Sequence, residues 1–228
     1  MVGAMTRNDS GDGPVLAPWT VYSPQEDTQL LARALDREHI AEDTAVLDVG
    51  TGGGALALAA ARRGARVTAV DTTYRAVLTA RLNARLARLP LEVLHGDLFA
   101  PVVGRRFDLI VSNPPYVPAP GAVRRHRAAV AWDAGTDGRA LLNRICHGAG
   151  TSLRPGGVLL LVHSALCGVA PTLAGLERSG LEARVTDRWH VPFGPVLRSR
   201  LAWLRHRGLV GADEEKEELV IIRAERTR

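Results

Sequence analysis

Between Ala45 and His163, short runs of Val, Leu and Ile alternate with longer stretches in which Ala, Leu and Arg recur. A short apolar run that stops at a glycine or a polar residue is the mark of a buried strand. "AVLDV" (45–49), "RVTAV" (66–70), "LEVLHG" (91–96), "FDLIVS" (107–112) and "GVLLLVHS" (157–164) fit that mark. "ALALAAARRG" (55–64), "YRAVLTARLNARLARL" (74–89) and the stretch 138–153 predict helices, since Ala and Leu favour them and Gly64 can end the first. Strand–helix alternation implies a parallel sheet with helices on both faces. Further on, "LEARVTDRWHV" (181–191) and "EELVIIRAER" (217–226) read as strands flanking a basic helix at 197–207. They finish an otherwise parallel sheet in antiparallel fashion.

The expected class is therefore α/β: a Rossmann-like seven-stranded sheet, mostly parallel, with a C-terminal antiparallel strand. At 228 residues the chain suits one domain, and 46% hydrophobic with 23% charged residues is ordinary for a soluble protein. We expect a disordered leader over 1–17 and one domain over 18–228. The net charge of +5 comes almost wholly from arginine, Lys216 being the single lysine. Arg198, Arg200, Arg205 and Arg207 recur on one helix, but one basic helix without a binding module is no nucleic-acid signature. Cys146 and Cys167 lie far apart with no His at zinc spacing, so neither a disulfide scaffold nor a metal site is expected. No apolar run approaches the roughly 18 residues of a membrane span. These features together lead us to expect a cytoplasmic protein.

The chemistry gathers where the strands end. "VLDVGTGGG" sets Asp48, Gly50, Gly52 and Gly54 at the mouth of the first helix, where glycine lets the backbone turn sharply and approach a ligand. Asp71 ends the second strand, 23 positions beyond Asp48, where a carboxylate can accept from ribose hydroxyls. Asp97 follows the third strand and can accept from an adenine amine, with Leu98 as apolar cover. Acidic Asp48 ahead of the glycines suits a cationic ligand better than a diphosphate. S-adenosylmethionine, with its sulfonium and ammonium, is such a ligand. Each Asp taken alone can equally be a helix cap or turn former.

The fourth strand stops at "NPPYVP" (113–118). Two consecutive prolines stiffen the chain and remove two N–H donors. The side-chain carbonyl of Asn113 and the backbone carbonyl of Pro114 are fixed acceptors, and Pro115 and Tyr116 complete the corner with an aromatic face. Such a corner can hold a planar group bearing an NH2 and aim its nitrogen lone pair at a methyl donor.

On these residues the chain resembles a class I S-adenosylmethionine-dependent methyltransferase of the HemK-like branch, which methylates a glutamine side-chain amide. "NPPYVP" carries most of that resemblance; "VYSPQEDTQLL" (21–31) and "AWDAGTDGRALLNRI" (131–145) extend it. It implies cofactor contacts from Thr28, Asp48, Gly50, Asp71, Asp97, Leu98 and Asn113, with S-adenosylhomocysteine as product. The bacterial members carry a front domain that grips the release factor. Here only about twenty residues precede the Tyr22 stretch, so the layout looks like the compact archaeal and eukaryotic branch. That branch works with a small zinc-binding activator subunit. Two other acceptors share the corner's chemistry: a small molecule, or an exocyclic amine of a nucleic acid such as adenine N6.

Overall fold

A computed structural model describes residues 5–6, 15–16, 25–121 and 134–227. Nine strands and six α-helices lie among them: β1 (Met5–Thr6), β2 (Val15–Leu16), α1 (Glu26–Leu35), β3 (Ala45–Val49), α2 (Ala55–Arg62), β4 (Arg66–Asp71), α3 (Tyr74–Ala87), β5 (Glu92–His95), β6 (Phe107–Ser112), α4 (Ala140–Ser152), β7 (Leu153–Ser164), α5 (Val169–Arg178), β8 (Leu181–Pro192), α6 (Pro195–His206) and β9 (Lys216–Arg226). Within the span read as a leader, β1 pairs antiparallel with β2; its other residues lie outside those described.

Seven strands form one sheet in the order β5-β4-β3-β6-β7-β9-β8. β9 is antiparallel to both its neighbours, and the other recorded pairings are parallel. The chain winds outward from β3 through β4 to β5, then returns to place β6 on the other side of β3. Strand order reverses there, and in open α/β sheets a crevice opens beyond the carboxyl ends of the strands at such a point. β3 and β6 are central enough to be covered on both faces: Val46, Leu47, Val49, Ile110 and Val111 are all fully buried. This accounts for their unbroken apolar runs.

The predicted strands and helices all form, with ends shifted by a few residues. Two helices had no counterpart in the sequence pattern. α1 lies in a stretch read for its polar motif, and it opens with Glu26 and Asp27, which suit the positive end of a helix. α5 carries Pro171 in its first turn and Gly175 inside, residues that weaken a helical pattern. Among the described residues no helix is long and apolar enough to cross a membrane. Cys146 and Cys167 are free and buried.

Candidate active site

A cavity of about 460 Å³ opens over the carboxyl ends of β3 to β6. Thr28, Gly50, Gly52, Asp71, Asp97, Leu98 and all of Asn113–Tyr116 line it, as the sequence led us to expect. α4 adds Leu141 and Arg144, the start of α6 adds Gly194 to Leu197, and β9 adds Glu217.

The glycine turn is shaped by its own backbone. Gly50 and Thr51 both donate N–H to the Val70 carbonyl, at 2.9 and 3.0 Å. Gly50 has φ +76°, and a Cβ placed there would meet nothing within 4 Å. The open space beside it is the room a ligand needs to reach the main chain. Asp71 fixes the turn from the neighbouring strand: Oδ2 accepts from Gly52 N at 2.9 Å, and Oδ1 accepts from Thr73 N and Oγ1. Asp97 pairs with Arg144 at 2.6 Å at the exposed rim, and Leu98 next to it adopts a left-handed φ of 48°.

Asp48 sits elsewhere than its charge suggested. It is 1% exposed and lies behind the cavity wall, where Oδ2 accepts from Thr51 Oγ1 at 2.6 Å and from Ala57 N at 3.1 Å. Its Oδ1 has no partner among the described residues. Burial pushes its pKa up to about 7, against the opposing pull of those two hydrogen bonds. The carboxyl group braces the turn and does not line the cavity.

The corner after β6 is held from four sides. Asn113 Nδ2 donates to Thr28 Oγ1 at 3.1 Å, which turns the amide so that its Oδ1 is the atom offered to an incoming N–H. Tyr116 donates its hydroxyl to Asp27 Oδ2 at 3.1 Å, and Tyr116's carbonyl accepts from the Cys167 thiol at 2.9 Å. Arg200 of α6 donates to the Val117 and Pro118 carbonyls. Gly138 completes the fit: φ is +73°, and a Cβ would come within 2.3 Å of the Tyr116 carbonyl and 2.7 Å of Cys167 Sγ. Arg139 is buried beside it and donates to the Cys167 and Gly168 carbonyls, to Thr172 Oγ1 and to Asn143 Oδ1.

Residues 17–188 match the family described as the methyltransferase small domain. The chain belongs to that family. It is 34% identical, over 78% of its length, to a Methanocaldococcus jannaschii protein that carries the name of a protein N5-glutamine methyltransferase, and covers 89% of that relative. A release factor glutamine methyltransferase of Deinococcus radiodurans is 39% identical over 81% of this chain, which spans 66% of the relative. For the Moorella thermoacetica enzyme of the same name the figures are 40%, 62% and 53%. The chain thus spans only half to two-thirds of these bacterial relatives. Among solved structures, the Encephalitozoon cuniculi Mtq2–Trm112 complex, which methylates the eRF1 termination factor, aligns with a TM-score of 0.65 and 24% identity over 91% of this chain and 99% of that one. A Thermus thermophilus 16S rRNA methyltransferase bound to AdoMet and guanosine gives 0.59 and 24%, over 91% of this chain and 45% of that one. At that identity both show the shared fold.

Several site residues escaped the sequence reading. Asp27 was visible beside Thr28, but nothing marked it as Tyr116's partner. Arg144 stands at the end of the 131–145 segment, but nothing there marked it as Asp97's partner, and Glu217 comes from an element distant in sequence with no motif around it. The Arg-rich stretch 124–127 and Trp132 lie outside the described residues. Trp189 is 45% exposed on β8 with Arg33 over its ring, and does not line the cavity.

Two outcomes follow for this methyltransferase. An acid whose folded-state value rises from 3.8 to about 7 withholds stability as pH climbs through that window. Asp48→Asn, which keeps both hydrogen-bond roles and cannot ionise, is expected to melt at a higher temperature than the wild type above neutrality and at the same temperature near the lower end of the window. Scanning calorimetry across pH measures this, and a constant offset would contradict it. Gly138→Ala is expected to displace the corner, lowering stability by about 1–3 kcal/mol and methyl transfer by roughly 100-fold. Denaturant unfolding and a labelled-methyl assay check the two effects.

Proposed function

We propose that this methyltransferase binds S-adenosylmethionine over β3 to β6 and methylates the side-chain amide nitrogen of a glutamine in a release-factor-like protein, leaving S-adenosylhomocysteine. The observation that carries the reading is the Asn113–Thr28 hydrogen bond, because it engages the donor end of the amide and leaves Oδ1 to accept from an incoming NH2. The names of the relatives at 34% and 39% identity support the same acceptor.

The cavity fits the cofactor. The open space beside Gly50 would admit its amino-acid portion, Asp71 retains lone pairs that could accept from ribose hydroxyls, and Asp97 with Leu98 would border the adenine end. When bound, the cofactor supplies an electrophilic methyl on a sulfonium. Everything else is the chain's work. Asn113 Oδ1 and the Pro114 carbonyl accept the two N–H bonds of the acceptor amide, whose lone pair would otherwise be delocalised into its own carbonyl. Accepting both returns electron density to nitrogen and fixes its direction. The N–C bond would form as the C–S bond breaks, with the electron pair going to sulfur and one proton passing from the nitrogen to solvent water.

A small activator subunit also belongs to this reading, by likeness to the Encephalitozoon cuniculi complex. Tyr74, Leu78, Leu82 and Leu86 recur every fourth residue along α3 and are 68, 62, 48 and 64% exposed. An apolar stripe of that length on one helix is the kind of surface a partner covers.

The test pairs isothermal titration with a labelled-methyl assay on a release factor presenting a Gly-Gly-Gln loop. Asn113→Ala is expected to abolish transfer while S-adenosylhomocysteine still binds. Asp71→Ala is expected to weaken cofactor binding by about 1.5–3 kcal/mol. Turnover by the Asn113 variant, or label on a purified RNA or small molecule in place of the glutamine, would replace the proposal.

A further inference from the structure

A hydroxyl carries one hydrogen, so a threonine that donates to one neighbour can only accept from another. Thr28 is in that position. Its Oγ1 donates to Asp27 Oδ1 at 3.3 Å and accepts from Asn113 Nδ2 at 3.1 Å. The Thr28 N–H also donates to Asp27 Oδ1, at 2.6 Å. That N–H is one of the first-turn donors of α1, which a helix leaves without an internal partner. Asp27 therefore has a reason to face Thr28 whether or not a ligand is present. Its other oxygen, Oδ2, accepts the Tyr116 hydroxyl at 3.1 Å. Asp27, Thr28 and Tyr116 are 6, 5 and 8% exposed, so water competes little for these bonds.

The hydrogen bonds thus run one way, from the Asn113 amide to the Thr28 hydroxyl and from that hydroxyl to Asp27. Without an acceptor at position 27, the Thr28 hydroxyl could turn its hydrogen toward Asn113 Oδ1. The amide would then present its NH2 to the cavity, where an incoming NH2 would find a second donor and no acceptor.

We propose that Asp27 is a positioning residue for methyl transfer: by taking the Thr28 hydroxyl hydrogen it makes that hydroxyl an acceptor, and so decides which end of the Asn113 amide meets the substrate. The kinetic consequence rests on the methyl-transfer reading, whereas the orientation of the amide does not.

Asp27→Leu keeps the bulk and cannot accept. Asp27→Asn still offers Oδ1 to Thr28, with its own NH2 toward Tyr116, whose hydroxyl oxygen can accept. We expect Asp27→Leu to lower kcat about 100-fold with S-adenosylhomocysteine affinity unchanged, and Asp27→Asn to restore most of the rate. In Thr28→Val protein the Asp27→Leu change should cost far less, because the hydroxyl it acts through is gone. In protein with 15N-labelled asparagine, the Asn113 side-chain NH2 should exchange slowly with solvent in the wild type and in Asp27→Asn, and quickly in Asp27→Leu. An Asp27→Asn rate far below that of the wild type would overturn the proposal. So would an equal cost of Asp27→Leu with and without the Thr28 hydroxyl, a loss of cofactor-product affinity matching the loss of rate, or slow Asn113 exchange that survives in Asp27→Leu. Failure of the methyl-transfer reading has a different signature: wild-type protein labels no glutamine, and the exchange of the Asn113 amide alone then decides the role of Asp27.

Discussion

The bond from Asn113 Nδ2 to Thr28 Oγ1 decides what the site can do. An amide side chain has a donor end and an acceptor end, and either can face a ligand. With the donor end spent on Thr28, the acceptor end faces the cavity. Thr28 can do this only because α1 crosses the strand ends there, and α1 is itself fastened by Leu31 and Leu35, both fully buried. Asp27 on the same turn takes the Tyr116 hydroxyl. One turn of helix thereby orients both ends of the corner, though it lies 85 residues away from Asn113.

How much of this the sequence revealed depends on the range of the interaction. The sheet was legible because strands buried on both faces must be continuously apolar, as "FDLIVS" and "AVLDV" are. The corner was legible because two prolines after an Asn have few other uses at a strand end. The role of Asp48 was not. A charge ahead of a glycine turn looks the same in sequence whether it faces a ligand or turns inward. Here Thr51 Oγ1 and Ala57 N turn it inward. Glu217 was invisible for a different reason. It lies in an acidic run, "EEKEE", that reads as solvated, and the pairing of β9 between β7 and β8 is what carries its second-last acid indoors.

Polar groups in this site mostly serve the main chain before they serve a ligand. Asp71 holds Gly52 and Thr73, Asp48 holds the start of α2, and Arg139 gathers the carbonyls that precede α5. A cavity built this way is set in shape before anything binds, so little ordering remains to be done at the moment of binding. The segment around Gly138 belongs to the same scheme, since its bare backbone leaves room for the Tyr116 carbonyl.

The rim is built on the opposite plan. Asp97 and Arg144 meet there with about half of each side chain in water, 56% and 52%. An ion pair so wet is worth about 0–1 kcal/mol, close to thermal noise. It behaves as a latch that ordinary motion undoes, and salt would loosen it further. The rim can therefore rearrange by the swing of one arginine, with the sheet and the corner standing still.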